Sequence, residues 1–151
     1  MLKIKFDRLD YQELAVNSIS DVFKNIAFKT NDNKKSNPSF DLESSKSILV
    51  NNITKVREIN KVDIGDISIK DELVIDTLME TGTGKTFTFL ESIYRLNRDY
   101  GLCKFIILVP SNPIRQGTIK NINITKEFFT KEYGKQISVY NYSEKTILNY
   151  I

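Results

Sequence analysis

Leu73-Val74-Ile75-Asp76-Thr77-Leu78-Met79-Glu80-Thr81-Gly82-Thr83-Gly84-Lys85-Thr86 is the stretch on which the reading of the fold turns. Apolar residues lead into a glycine-rich turn, and a helix-patterned segment follows. The order reads as a strand, a phosphate-binding loop and a helix. Polyphosphate recognition needs several N–H donors aimed at one small anionic volume, and glycine lets the backbone approach without a Cβ in the way. Lys85 then supplies a cation for the β- and γ-phosphates, and Thr86 a hydroxyl for Mg2+. A helix opening at Lys85 adds its unpaired first-turn N–H groups and the positive end of its dipole. One departure from the generic spacing G-x-x-x-x-G-K-[ST] is Met79, where that pattern has a small residue. An ordinary turn followed by an exposed lysine is the bland alternative, and the apolar segment before the turn with the helical pattern after it speaks against that.

Working outward, 151 residues with 40% hydrophobic content suffice for one domain with a real core. Charged residues make up 27% and the formal net charge is +3, with no clustered block of Lys or Arg, so contact with a polyanion is compatible but not argued. The chain has no histidine, which removes His-based triads, HExxH zinc sites and imidazole acid–base catalysis together. Cys103 is the only cysteine, so one chain can hold no disulfide, and its apolar neighbours predict a small buried residue. The N-terminus lacks the apolar core of a secretory signal, and the longest purely apolar run, residues 105–109, is far short of a membrane span. The default expectation is a cytoplasmic protein.

Leu2, Ile4 and Phe6 alternate with lysines, the period of a half-buried strand. Asp10 and Glu13 have capping-box spacing ahead of a helix with Leu14, Ala15, Ile19, Val22, Phe23 and Ile26 on one stripe. Residues 29–47 turn to Asn, Lys, Ser and Asp around Pro38 and read as an exposed, flexible insertion. Ile53, Val56 and Ile59 suggest a short helix. A helix over residues 85–98 is expected to bury Phe89, Ile93 and Leu96, with Gly101 as its stop. Residues 104–109 form a β-branched apolar run, typical of a strand covered on both faces and ended by Pro110. Two helices over about 113–122 and 125–133 and a strand over 136–140 complete the alternation. That order predicts an α/β fold: a three-layer domain with a parallel sheet, right-handed crossovers and the ligand site at the carboxyl ends of the strands.

Three stretches carry a resemblance: residues 11–16 (Tyr-Gln-Glu-Leu-Ala-Val), residues 79–86, and residues 104–111 continuing through Ile114-Arg115-Gln116-Gly117. In order and spacing they resemble the N-terminal part of the Res subunit of type III restriction enzymes, within the superfamily-two helicases and translocases, which implies a RecA-like P-loop NTPase domain of which residues 1–151 are the N-terminal portion. The last stretch is the most family-specific. The resemblance implies that Gln12 reads adenine, a role a carboxamide suits because it both donates and accepts. It implies that Thr81, Gly82, Thr83, Gly84, Lys85 and Thr86 take ATP and Mg2+, with Lys85 and Thr86 in the catalytic role and Thr86 reaching the metal through its hydroxyl. It places Pro110, Ser111 and Arg115 against the DNA backbone, where arginine suits a bidentate phosphate grip. The partners implied are double-stranded DNA, a modification methyltransferase subunit and the remainder of a longer Res polypeptide, with no membrane.

Pro113 and Gln116 stand where that family leads one to expect alanine and glutamate. Its second ATPase motif, an Asp-Glu pair followed closely by His, has no counterpart in a chain without histidine, and Asp71-Glu72 precedes the loop instead. Hydrolysis needs a carboxylate to organise Mg2+ and water, and usually an arginine for developing charge. The expectation is therefore that the isolated chain binds ATP weakly or not at all and does not turn it over. Two other readings share the loop: another superfamily-two motor, such as a type I restriction motor subunit or a repair helicase, and a non-catalytic nucleotide- or DNA-binding stub.

Overall fold

The computed structural model describes residues 7–30, 36–63 and 65–141. The strand expected at Leu2, Ile4 and Phe6 lies outside the described residues, as do residues 31–35 of the expected insertion.

Among the described residues, four helices follow in chain order: α1 (Asp10–Asp21), α2 (Leu42–Ile59), α3 (Lys85–Tyr100) and α4 (Asn112–Tyr133). Helix α3 packs against both α1 and α4, and α1 also meets α2. One core joins α3 to α4 through Leu90, Tyr94, Ile122 and Phe129, with Phe87, Phe128, Tyr133 and Ile137 half-buried around it. A second core joins the end of α1 to α2 through Val22, Ile26 and Leu49. Around it Phe23, Phe28, Phe40 and Tyr100 form a ring cluster with centroid separations of 5.3–6.1 Å, the range in which aromatic pairs attract edge to face.

The α/β expectation is corrected here. Among the described residues there is no strand and no sheet, only one antiparallel bridge, in which Lys29 and Ser39 exchange backbone bonds of 2.7 and 3.0 Å. The three-layer RecA-like arrangement with a parallel sheet is therefore not what these residues form. Residues 73–79, 104–109 and 136–140 carry no ladder. A β-branched run fixes the local dihedrals, whereas a strand also needs a neighbour about 4.8 Å away to take its N–H and C=O groups. Apolar alternation survives as one-sided docking. Leu73 and Ile75 pack on the second core while Val74 between them stays exposed. Likewise Ile106 and Leu108 are 87% and 88% exposed, although a strand covered on both faces would bury them.

The helices also differ in detail from the sequence reading. Helix α1 is capped by Leu9, and Gln12, at its third position, reaches back to the Leu9 N–H in place of the expected Asp10–Glu13 pairing. Helix α3 stops at Gly101, whose φ of +74° is left-handed. Its buried positions are Thr88, Leu90, Glu91, Ser92 and Tyr94, while Phe89, Ile93 and Leu96 are half-buried. Phe89 and Ile93 face an open apolar groove that residues 105–109 line from the other side. The two helices expected after Pro113 are one, because residues 121–125 contain no breaker and Thr125 Oγ1 donates back to the Asn121 carbonyl at 2.8 Å. Cys103, expected to be buried, is exposed. Its N–H donates to Asn37 Oδ1 at 2.8 Å, and Asn37 pairs with Lys104 through both its N–H (2.7 Å) and its carbonyl (2.8 Å). Among the described residues, no helix is long and apolar enough to cross a membrane.

Candidate functional site

The loop of residues 81–84 runs straight into α3, whose N-cap is Gly84 at φ +84°, with Gly82 at φ +83° two residues earlier. Both angles lie where a Cβ is disfavoured, so the glycines are required by the backbone path and not only by a ligand. Thr83 closes the turn by donating its Oγ1 to the Glu80 carbonyl at 2.6 Å. The chain leaves the turn with the first-turn amides of α3 lacking intrahelical partners, the arrangement that favours an anion.

Lys85 is the first residue of α3 and is exposed. Its Nζ donates to the Met79 carbonyl at 2.7 Å, so the ammonium is folded back across the loop to the residue that departs from the generic motif. Thr86 is half-buried on the same first turn. A Cβ built on Gly82 meets nothing within 4 Å, so the loop is open on that side. The donor set fits a polyphosphate: a cation, a hydroxyl and a helix start around one glycine-lined turn. Thr86 is the residue that would hold Mg2+, which keeps waters and phosphate oxygens as its other ligands.

The structure brings Gln12 to this loop from 71 positions away in sequence. Its Nε2 donates to the Thr83 carbonyl at 2.9 Å and its Oε1 accepts from the Leu9 N–H at 3.2 Å. Gln12 is only 7% exposed, so the carboxamide is built into the loop and each end retains one further bonding position. A Cβ on Gly84 would overlap Gln12 Nε2, so the absence of a side chain at Gly84 is what admits the amide. Pro110, Ser111 and Arg115 belong to another element: Ser111 is the N-cap of α4, and all three residues are exposed.

Behind the loop lies a polar group that sequence reasoning missed. Glu91 is fully buried on α3, Arg8 Nη2 lies 2.6 Å from its Oε1, and the Tyr133 hydroxyl donates to the same oxygen at 2.9 Å. Arg8 Nη1 also lies 3.5 Å from Glu132, and its guanidinium stands 5.9 Å over the Phe128 ring. Burial works against the Arg8 charge, but attraction and hydrogen bonding from Glu91 outweigh it and hold the guanidinium above its ordinary pKa. Tyr133 is pushed up by burial first and by Glu91 next. A lone charged residue on a helical apolar face was the available signal, and it lies at Glu91 between Leu90 and Tyr94.

The model of the family described as "Type III restriction enzyme, res subunit" matches residues 5–149. The chain belongs to that family. Among curated relatives, it is 34% identical over 143 residues to the type III restriction-modification enzyme EcoPI Res subunit of Escherichia phage P1, covering 87% of this chain and 14% of the relative. It is 33% identical over 139 residues to the EcoP15I Res subunit of Escherichia coli, with the same coverage of 87% and 14%. A third relative, the StyLTI Res subunit of Salmonella typhimurium, is 39% identical over 66 residues, 44% of this chain and 6% of that one. The chain thus spans about one-seventh of the length of the first two relatives (14% each). Membership of this family displaces the readings as a type I motor subunit or a repair helicase.

Proposed function

We propose that residues 81–86 are the polyphosphate grip of an ATP-dependent type III restriction enzyme, working in a Res polypeptide that moves on and cleaves DNA together with a modification methyltransferase. The observation that carries the reading is the loop itself: two left-handed glycines deliver Lys85 to the first turn of α3 with its ammonium held over the turn. An incoming phosphate would compete with the Met79 carbonyl for that ammonium, with the advantage that both partners of the new bond carry charge. Bound ATP and Mg2+ supply the phosphoryl group and the charge neutralisation that DNA motors consume. This chain contributes the cradle, Lys85, the Thr86 hydroxyl and the Gln12 carboxamide that fixes the loop from behind. With Oε1 on Leu9 and Nε2 on Thr83, Gln12 can still offer its second N–H and second lone pair to an adenine edge.

Pro110, Ser111 and Arg115 at the exposed start of α4 are proposed to meet the DNA backbone. A side chain that neutralises one phosphate changes the salt slope of DNA binding by about 1. Titration of the chain with MgATP by calorimetry tests the main reading. Weak saturable binding that falls at least about tenfold in Lys85→Ala, a change of about 1.4 kcal/mol, is expected. Equal binding, or none, in the two proteins would overturn it.

A further inference from the structure

Glu91 lies seven residues, close to two helical turns, beyond Gly84, so the two share one face of α3 with the buried Thr88 between them. The approach to α1 touches that face at both ends. At Gly84 the contact is Gln12, whose amide fills the space a Cβ would need and bonds Thr83. At Glu91 it is Arg8, next to the N-cap Leu9. Leu9 links the two, because its N–H donates to Gln12 Oε1 and so fixes which way the carboxamide is turned. An amide with its oxygen held on Leu9 points its nitrogen at the Thr83 carbonyl.

We infer that Arg8 and Glu91 are positioning residues of the phosphate loop: their ion pair seats Leu9, Leu9 orients Gln12, and Gln12 holds the loop in the shape that receives polyphosphate. The inference rests on reading residues 81–86 as that loop. A pair made only for stability would be a weak choice, since desolvating both charges offsets much of their attraction. The pair differs from an apolar contact in its geometry. Glu91 is held by Tyr133 as well as by Arg8, so the guanidinium meets an acceptor that is itself fixed in place.

The effect acts through the loop and not through the base, which separates it from adenine reading. Arg8→Met and Glu91→Gln are each expected to weaken MgATP and magnesium tripolyphosphate equally, by about fivefold, the worth of one hydrogen bond. Adding Gln12→Ala to Arg8→Met should not weaken magnesium tripolyphosphate further, because the two substitutions release the same loop contact, whereas MgATP also loses the adenine contact proposed for Gln12. By NMR, without any ligand, the Gln12 side-chain amide should exchange faster with solvent in Arg8→Met while resonances of Phe23, Phe28 and Phe40 stay in place. Arg8→Lys keeps the charge but loses the fork, and serves as the folded variant if Arg8→Met unfolds; the same faster exchange is expected. A protected Gln12 amide in a folded Arg8 variant, or additive losses of tripolyphosphate binding in the double variant, would overturn the inference. Absence of MgATP and tripolyphosphate binding in the unsubstituted chain would instead overturn the reading of the loop, and the ligand-free amide measurement would still decide whether Arg8 seats Gln12.

Discussion

Gln12 Nε2 occupies the place where a Cβ on Gly84 would stand, so the first turn of α1 and the last residue of the loop interlock. The glycine usually explained by phosphate contact has, in this protein, a second reason that exists before any ligand arrives.

That relationship predicts unequal costs for two similar substitutions. Gly82 and Gly84 share nearly the same φ, so alanine at either costs about 1–2 kcal/mol of backbone strain. Gly84→Ala must also displace the Gln12 amide, whereas Gly82→Ala meets open space. Urea unfolding should therefore rank Gly84→Ala as the more destabilising. In a Gln12→Ala background the two should become equal, and a persistent gap there would remove Gln12 from the explanation.

Asn37 replaces a missing strand neighbour for residues 103 and 104, bonding two N–H groups and one carbonyl. Asn37→Ala should cost about 1–2 kcal/mol, below the sum of three bonds because water reaches these groups. Asn37→Asp keeps the acceptor for Cys103 and Lys104 and loses the donor, so it should fall between. Amide exchange at Cys103 and Lys104 reads the effect directly, and unchanged protection in Asn37→Ala would contradict it.

The elements whose stop and start signals are local were legible in sequence. Gly101 ends α3 and Lys85 begins it as the pattern indicated, because a left-handed glycine and a glycine-capped start act within one turn. The left-handed glycine turn ahead of α3 was legible for the same reason. What was not legible depends on partners distant in the chain. Residues 104–109 have strand dihedrals written into their β-branching, yet nothing in the run says whether a neighbour will accept their hydrogen bonds. Gln12 was singled out by the family resemblance, but its bond to Thr83 spans 71 positions and leaves no periodic trace. Arg8 is an ordinary charge in sequence and acquires meaning only because Glu91 is buried opposite it.

The exposed run gives a discriminating test of the corrected fold. Ile106 and Leu108 are 87% and 88% exposed, so Ile106→Lys and Leu108→Lys should change stability by no more than about 0.5 kcal/mol. In a covered strand the same lysines would bury an unpaired charge and unfold the domain. They should also reduce self-association, since apolar side chains along an extended edge are the usual template for it. Thermal melts with analytical ultracentrifugation read both, and a large loss of stability in either variant would argue that these side chains are covered.

Three tyrosines set how the fold responds to alkali. Burial, the first cause in each, pushes Tyr94, Tyr100 and Tyr133 above the ordinary tyrosine pKa. A raised pKa in the folded state means that the native protein holds its protons longer than the unfolded chain. Their contribution is then intact below about pH 10 and is lost as pH climbs past that value. Tyr133 carries an added reason, because ionising its hydroxyl would end its donation to Glu91 and set two anions side by side. Tyr133→Phe should lower stability at neutral pH by about 1 kcal/mol through the lost bond. It should also flatten the alkaline fall, because one of the groups driving it is gone. Urea midpoints from pH 8 to pH 11, with tyrosinate absorbance recorded in parallel, measure both, and an alkaline slope as steep in Tyr133→Phe as in the unsubstituted protein would show that Tyr133 does not couple ionisation to unfolding.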